Sequence, residues 1–161
     1  MNMIRATAPP PDVRVFQTEA PVPVVALARR LGLKVYDEET NAAISGRLVR
    51  DTARGGPSGY AVYVNGAHHR NRKRFTLAHE IAHFLLHRHL LEAGIVEDDA
   101  LYRSHLSNAI ESEANRMAAE ILMPWHLIDQ AIDQGITAPA DLASLFQVSE
   151  TAMRIRLGLP T

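Results

Sequence analysis

Residues 72–91 constrain the fold of this chain more than any other segment. Apolar residues recur there at the spacing of an α-helix and cover a broad surface, which predicts a long and largely buried helix. Three ionisable residues, His79, Glu80 and His83, interrupt that apolar surface. Because burying such groups without partners costs on the order of several kcal/mol, the folded chain has to supply partners for them.

These three residues have the spacing of an H-E-x-x-H motif. Residues four apart lie on one face of a helix, so the imidazoles of His79 and His83 can point at one ion while Glu80 leans to their side. The chain has no cysteine, which leaves histidine and carboxylate as metal ligands. A catalytic zinc ion takes three protein ligands and keeps one position for water. The motif therefore predicts a zinc-dependent peptidase in which Glu80 is the catalytic base.

Two arrangements provide a third ligand. His89 lies ten residues after His79, where a related pattern, H-E-x-x-H-x-x-G-x-x-H, has its third histidine. Leu86 stands where that pattern needs glycine, and because leucine continues the helix, His89 is carried away from the ion. The other arrangement takes a carboxylate from a second predicted helix, which covers Asn108–Leu122 and ends before Pro124.

The second predicted helix offers Glu111, Glu113 and Glu120 as ligands. Glu111 and Asn115 are four residues apart and share a face, so one can bind the metal while the other hydrogen-bonds a ligating histidine. This pairing favours Glu111. Glu113 falls on roughly the opposite side of the helix, and we interpret it as a surface carboxylate near Arg116.

The remaining histidines and tyrosines have no comparable spacing argument. His87 drifts off the metal-facing stripe, so we interpret it as the polar end of a packed helix. Hydrolysis of a peptide bond needs a donor that stabilises the oxyanion. The candidates for that role are His68, His69, His105, His126, Tyr60, Tyr63 and Tyr102.

The rest of the chain predicts an α+β fold. A helix at residues 22–31 is followed by three short strand-like segments, which we interpret as a small antiparallel sheet packed against a bundle of helices. The strands are predicted at residues 33–36, 44–50 and 60–65. Residues alternate in the third strand as expected when one face is buried and the other is wetter. Further helices are predicted at residues 125–134, 140–146 and 150–157, the last capped by Ser149.

Composition and charge predict the domain limits, the location and the kinds of partner of the protein. Residues 1–20 are rich in proline, which predicts a flexible N-terminal arm before a single domain at residues 21–161. We find neither a secretory signal nor a run long enough to cross a bilayer, so we expect a cytoplasmic protein without a membrane partner. The net charge of -1 and the pI near 6.7 provide no long-range attraction to polyanions.

The tail at residues 140–157 resembles half of a helix-turn-helix. Its cations are Arg154 and Arg156 alone, so we do not expect direct DNA binding. The apolar positions of the tail suggest instead that it docks onto the core; they are Leu142, Leu145, Val148 and Ile155.

Two blocks of the sequence resemble the ImmA/IrrE-type metallopeptidases. They are R-F-T-L-A-H-E-I-A-H-F-L-L-H at residues 74–87 and E-S-E-A-N-R-M-A-A-E-I-L-M-P at residues 111–124. The likeness extends to residues 27–32, to residues 60–65 and to the tail. It implies a zincin-like fold and a gluzincin-like zinc site with Glu111 as third ligand beside His79 and His83.

The resemblance also implies a partner. Members of this family typically cleave or inactivate a helix-turn-helix transcriptional repressor in stress, phage or mobile-element regulation. Others belong to toxin and antitoxin pairs, so the alternative is a non-proteolytic binding module, an antitoxin or anti-repressor. Peptide substrates of such enzymes often add a strand to the sheet edge, and residues 60–65 are the candidate edge here.

Overall fold

The computed structural model describes residues 9–39, 45–92 and 108–161. Two predictions fall partly outside these ranges: the first part of the predicted arm at residues 1–8 and the start of the second strand at Ile44. Residues 93–107, for which the sequence predicts no helix or strand, also lie outside them. That segment includes two of the oxyanion candidates, Tyr102 and His105.

The described chain forms seven helices and three strands, an α+β arrangement. The strands are β1 (Lys34–Glu38), β2 (Gly46–Arg50) and β3 (Tyr60–Asn65). The helices are α1 (Pro11–Arg14), α2 (Val24–Arg30), α3 (Arg70–Glu92), α4 (Asn108–Leu122), α5 (Trp125–Asp133), α6 (Pro139–Phe146) and α7 (Glu150–Leu157). Within the described ranges, none of these helices is both long and apolar enough to cross a bilayer.

The sheet is mixed, so the prediction of an antiparallel sheet is wrong. Its strand order is β1-β3-β2, with β2 antiparallel to β3 and β1 parallel to β3. Short segments that follow one another suggest successive hairpins, and β2 and β3 do form one. The chain leaves β1, however, and starts β2 on the far edge of the sheet, so β3 enters the middle and runs parallel to β1.

Strand β3 is central and buried on both faces, which corrects two further expectations. All six of its residues are buried, so its alternation does not separate a dry face from a wet one. One face joins the main core, whereas on the other Arg47 covers the Tyr63 ring at 4.2 Å and Tyr36 stacks on it at 5.2 Å. The edges of the sheet are β1 and β2, not residues 60–65.

Helices α3 and α4 form the framework that positions the site. Both bury alanines, Ala78 and Ala82 on α3 and Ala114 and Ala118 on α4, in the same core. Small side chains let helix axes approach closely. Side chains from α4 can therefore reach the histidines of α3.

The α3 helix also lies tightly against β2, and Gly46 makes this possible. A Cβ atom at Gly46 would lie 2.5 Å from Thr76 Cγ2 and 2.8 Å from the Tyr63 carbonyl oxygen. Only glycine fits between them without displacement. The close approach brings the start of β2 beside the helix that carries the motif.

Residues 9–20, assigned above to a flexible arm, lie against the domain in this structure. Val13 is fully buried, and the Gln17 amide donates to the carbonyl oxygens of Glu120 (2.8 Å) and Ile121 (3.0 Å). His126 Nε2 lies 2.8 Å from the Gln17 carbonyl oxygen. A few apolar side chains and one amide hold this segment, which is too few to produce a periodic signal in the sequence.

The C-terminal helices dock onto the core, as their apolar positions predict. Leu142 and Val148 are buried, and Ser149 caps α7 by accepting a hydrogen bond from the Ala152 amide at 3.0 Å. Ile155 differs from the expectation, because 67 % of its surface is exposed. The side chain faces a cleft instead of the core.

Candidate metal centre

The motif residues of α3 are buried in the middle of the molecule. His79 and Glu80 are 1 % exposed and His83 is 0 % exposed. They share the helix with the apolar core residues Leu77 and Ile81, whose burial draws the whole helix into the interior. The local sequence thus places three polar groups where water cannot satisfy them.

Glu111 of α4 meets both histidines. His83 Nε2 lies 3.1 Å from Glu111 Oε1, and His79 Nε2 lies 3.2 Å from Glu111 Oε2. The two Nε2 atoms are 3.0 Å apart. Among the described residues, these three side chains form a group whose potential ligand atoms all lie within 4.8 Å of one another.

The chemistry of these donors fits a metal ion. Asn115 Oδ1 lies 2.8 Å from His79 Nδ1, and because a carboxamide oxygen only accepts, Nδ1 carries the proton and Nε2 presents a lone pair. That lone pair faces His83 Nε2 and the Glu111 carboxylate. Lone pairs that converge at about 3 Å repel one another unless a cation lies among them. A divalent metal would supply that cation.

The electrostatics of the group keep Glu111 ionised. Burial alone would raise the pKa of Glu111, but the close imidazoles of His79 and His83 outweigh burial and hold the pKa well below its usual range. Burial lowers the pKa of His83, which favours its neutral form. A neutral imidazole and an ionised carboxylate are the states that bind metal.

The other residues considered as a third ligand lie outside the group formed by His79, His83 and Glu111. His89 is exposed and outside the ligand group, and Glu120 pairs with Arg156 at 3.0 Å. Glu113 is a half-exposed surface carboxylate, as its position on the helix indicates, but it also bonds to a buried histidine. Its Oε2 atom lies 3.0 Å from His87 Nε2, and His87 Nδ1 lies 2.9 Å from His83 Nδ1.

Sequence reasoning missed this role of His87. The residue is 3 % exposed and bonded to a member of the ligand group, so it is more than the polar end of a packed helix. A signal was present: His79, His83 and His87 recur at four-residue intervals, which places them along one side of the helix.

A cleft of about 890 Å³ opens beside His79 and Glu111. Ser45 before β2 and His69 before α3 line one part of it, and α7 lines another through Ile155. An adjoining cavity of about 500 Å³ shares Ile155 and Phe75 with the cleft. The tail therefore forms a wall of the site, which sequence reasoning did not predict.

Among the described candidates for the oxyanion donor, only one lines the cleft. His69 lines it. Tyr60 instead donates to Glu92 at 3.4 Å, Tyr63 lies beneath Arg47, and His126 contacts Gln17. His68 does not line the cleft either.

Comparison with known proteins places this geometry in a family. Residues 28–158 match the family model described as the IrrE N-terminal-like domain. The radiation response metalloproteases IrrE of Deinococcus deserti and Deinococcus radiodurans are 38 % and 37 % identical to this chain over 101 residues. These matches cover 60 % of the chain but 35 % and 30 % of the relatives, so the chain spans about a third of their length.

A solved structure of a Mycobacterium tuberculosis transcriptional regulator has a similar fold. The likeness has a TM-score of 0.61 at 20 % identity and covers 92 % of this chain and 45 % of that chain. At this level of identity it concerns the fold alone.

Proposed function

The chain belongs to the IrrE N-terminal-like family of metallopeptidases, and from this premise we propose that it is a zinc-dependent endopeptidase acting on a protein partner. One observation carries the proposal. His79, His83 and Glu111 converge within 4.8 Å of one another, and two of them, His79 and Glu111, line a large cleft. The buried carboxylate of Glu80 is next to His79 in the chain.

In this proposal His79, His83 and Glu111 hold the ion. Zinc would lower the pKa of a water molecule and polarise the peptide carbonyl. The metal is proposed as zinc because two imidazoles and one carboxylate make a common catalytic zinc set that leaves a position open. The thiolate-rich closed sites of structural zinc are excluded, since the chain has no cysteine.

Glu80 moves the proton. The carboxylate takes the proton of the attacking water and then donates it to the amine that leaves when the peptide bond breaks. Its place on α3 beside His79 keeps it near the ion but outside the ligand group.

His69 is the proposed oxyanion donor. Its Nδ1 atom accepts a hydrogen bond from the Asn71 amide at 3.1 Å. A neutral imidazole that accepts at Nδ1 carries its proton on Nε2. That N–H is then available to donate to the carbonyl oxygen of a peptide in the cleft, where negative charge develops.

The substrate would lie along the cleft between β2 and α7. Strand β2 is an edge of the sheet and Ser45, directly before it, lines the cleft, so β2 takes over the role first assigned to residues 60–65. An extended peptide could add to that edge through its backbone. The exposed side chain of Ile155 and the adjoining cavity suit an apolar substrate side chain.

The partner class is proposed from the family resemblance. We propose a helix-turn-helix transcriptional repressor, cleaved during a stress response or the regulation of a mobile element. The relatives named above are described as radiation response proteins, which is consistent with a stress role for those proteins.

Replacement of Glu80 by glutamine tests the proposal. We expect Glu80→Gln to keep its zinc, because Glu80 is not a ligand, and to lose cleavage of the repressor by about 100-fold to 10,000-fold. Cleavage would be followed by mass spectrometry of a helix-turn-helix repressor encoded beside the gene, and zinc by elemental analysis. Glu92→Gln, at the other end of α3, is the matched control and should cleave normally.

Two results would contradict the proposal. A Glu80→Gln variant that cleaves at the wild-type rate would remove Glu80 as the base. A variant that no longer cleaves but still relieves repression in cells would favour the alternative, a binding module that acts without proteolysis.

A further inference from the structure

We propose that His87 and Glu113 are positioning residues that fix the metal-binding tautomer of His83. The inference rests on the proposed zinc site and extends it to two side chains that do not touch the ion. Both side chains lie behind His83, on the side of its ring away from Glu111.

Two hydrogen bonds connect the side chains of His83, His87 and Glu113 in series. His83 Nδ1 lies 2.9 Å from His87 Nδ1, and His87 Nε2 lies 3.0 Å from Glu113 Oε2. His83 and His87 are both buried, so bulk water does not compete for the bond between them. Two ring nitrogens can bond to each other only when one carries a proton and the other does not.

The direction of these two hydrogen bonds follows from the carboxylate of Glu113. A carboxylate accepts hydrogen bonds and donates none, so Glu113 takes the proton of His87 Nε2. In the arrangement we propose, Nε2 carries the single ring proton of His87 and Nδ1 presents a lone pair. His83 has to donate its Nδ1 proton to that lone pair, which leaves a lone pair on His83 Nε2.

His83 Nε2 is the nitrogen that faces the ligand group. It lies 3.1 Å from Glu111 Oε1 and 3.0 Å from His79 Nε2. The tautomer deduced from Glu113 is therefore the one that metal binding needs, and it was reached without reference to a metal. Without His87, His83 could also place its proton on Nε2, and that form cannot bind an ion.

Helix α4 provides the acceptors that end both series of hydrogen bonds behind the ligating histidines. Asn115 Oδ1 accepts from His79 Nδ1, Glu113 orients His83 through His87, and Glu111, the proposed ligand, precedes both on the same helix. One helix thus supplies a ligand and sets the tautomer of the two others. Partners of this kind typically contribute about 10-fold to 100-fold to metal affinity.

The experiment measures zinc affinity in the full chain without substrate. The dissociation constant is obtained by competition with a chromophoric chelator. We expect His87→Phe, which fills the space but cannot accept a proton, to weaken zinc binding by about 10-fold to 100-fold. His87→Gln should restore most of the loss, because its carboxamide oxygen can accept from His83 Nδ1. His89→Phe, exposed on the same helix, is the matched control and should bind zinc normally.

A second measurement reads the tautomers directly. Long-range nitrogen-proton NMR correlation of the zinc-loaded wild type should show the proton of His83 on Nδ1 and that of His87 on Nε2. Glu113→Ala should weaken zinc binding less than His87→Phe does, because water can replace a half-exposed carboxylate. A proton found on His87 Nδ1 would overturn the proposal.

The outcomes separate this inference from the proposed function. A wild-type protein that binds no zinc would defeat both, and that result precedes any variant. If the wild type binds zinc but His87→Phe binds it equally well, the positioning chain is wrong while the metal site stands. If His87→Gln binds as weakly as His87→Phe, His87 acts by packing alone, and the inference also fails.

Discussion

Each ligating histidine has two ring nitrogens, and the structure uses them differently. The Nε2 atoms of His79 and His83 converge with Glu111, while their Nδ1 atoms engage Asn115 and His87. The ionised state of Glu111 follows from the same arrangement, since the two close imidazoles outweigh burial and lower the pKa of Glu111. At the scale of single residues, the site is therefore preorganised for a cation.

His69 provides a prediction at this scale. We expect His69→Ala to lower kcat by about 100-fold with little change in KM, because an oxyanion donor acts mainly in the transition state. Steady-state kinetics with a peptide spanning the cleavage site would measure both constants. His89→Ala serves as control, and an unchanged kcat in His69→Ala would assign the oxyanion to another donor.

At the scale of secondary-structure elements, the first turns of α3 contact both the segment before α2 and the end of α6. The Arg74 guanidinium donates to the carbonyl oxygens of Val22 (2.9 Å), Gln147 (3.2 Å) and Phe146 (3.4 Å). Gln147 ends α6 in the left-handed conformation, with φ of 53°. Because α7 begins three residues later and forms a wall of the cleft, Arg74 helps to shape the site from a distance.

Removal of this guanidinium should therefore loosen the tail. We expect Arg74→Met to lower the free energy of unfolding by about 3 kcal/mol, because carbonyl groups lose a charged donor in a half-buried position. Urea unfolding would measure the loss. Arg70→Met, one helical turn earlier and exposed, should change stability little, and an equal loss in both variants would contradict the role of Arg74.

At the scale of the whole molecule, metal binding and folding should be linked. The three proposed ligands come from α3 and α4, and residues 93–107 separate the two helices in the chain. An ion that binds only the folded arrangement stabilises it by mass action. Metal content is thus expected to affect global stability as well as activity.

Zinc should raise the free energy of unfolding by about 2.7 kcal/mol at a hundredfold excess over its dissociation constant. Thermal melts with zinc and after chelation would measure the gain, and Glu111→Ala should abolish most of it. The gain should disappear as the pH falls, because protons compete for the ligands. Since burial lowers the pKa of His83, its neutral form persists to lower pH than that of a solvent-exposed histidine. A gain independent of Glu111 would place the ion elsewhere.

The features that depend on local signals can be predicted from the amino-acid sequence. The helical periodicity of α3 predicts a buried helix with His79 and His83 on one face, and Pro124 predicts where α4 ends. The Ser149 cap is confirmed, as is the resemblance to the ImmA/IrrE family. The cap and the proline act on their immediate neighbours, and the periodicity and the two motif blocks each lie along a single helix, so residues close in sequence are sufficient to define them.

The choice of which elements lie side by side depends on the packing of the folded chain. The central position of β3, the pairing of Glu113 with His87 and the exposure of Ile155 at the cleft each depend on contacts between distant segments. Helical spacing sets Glu113 opposite Glu111, but it cannot show that a histidine from α3 reaches that side. Long-range packing determines those neighbours, and no pattern within a single element encodes it.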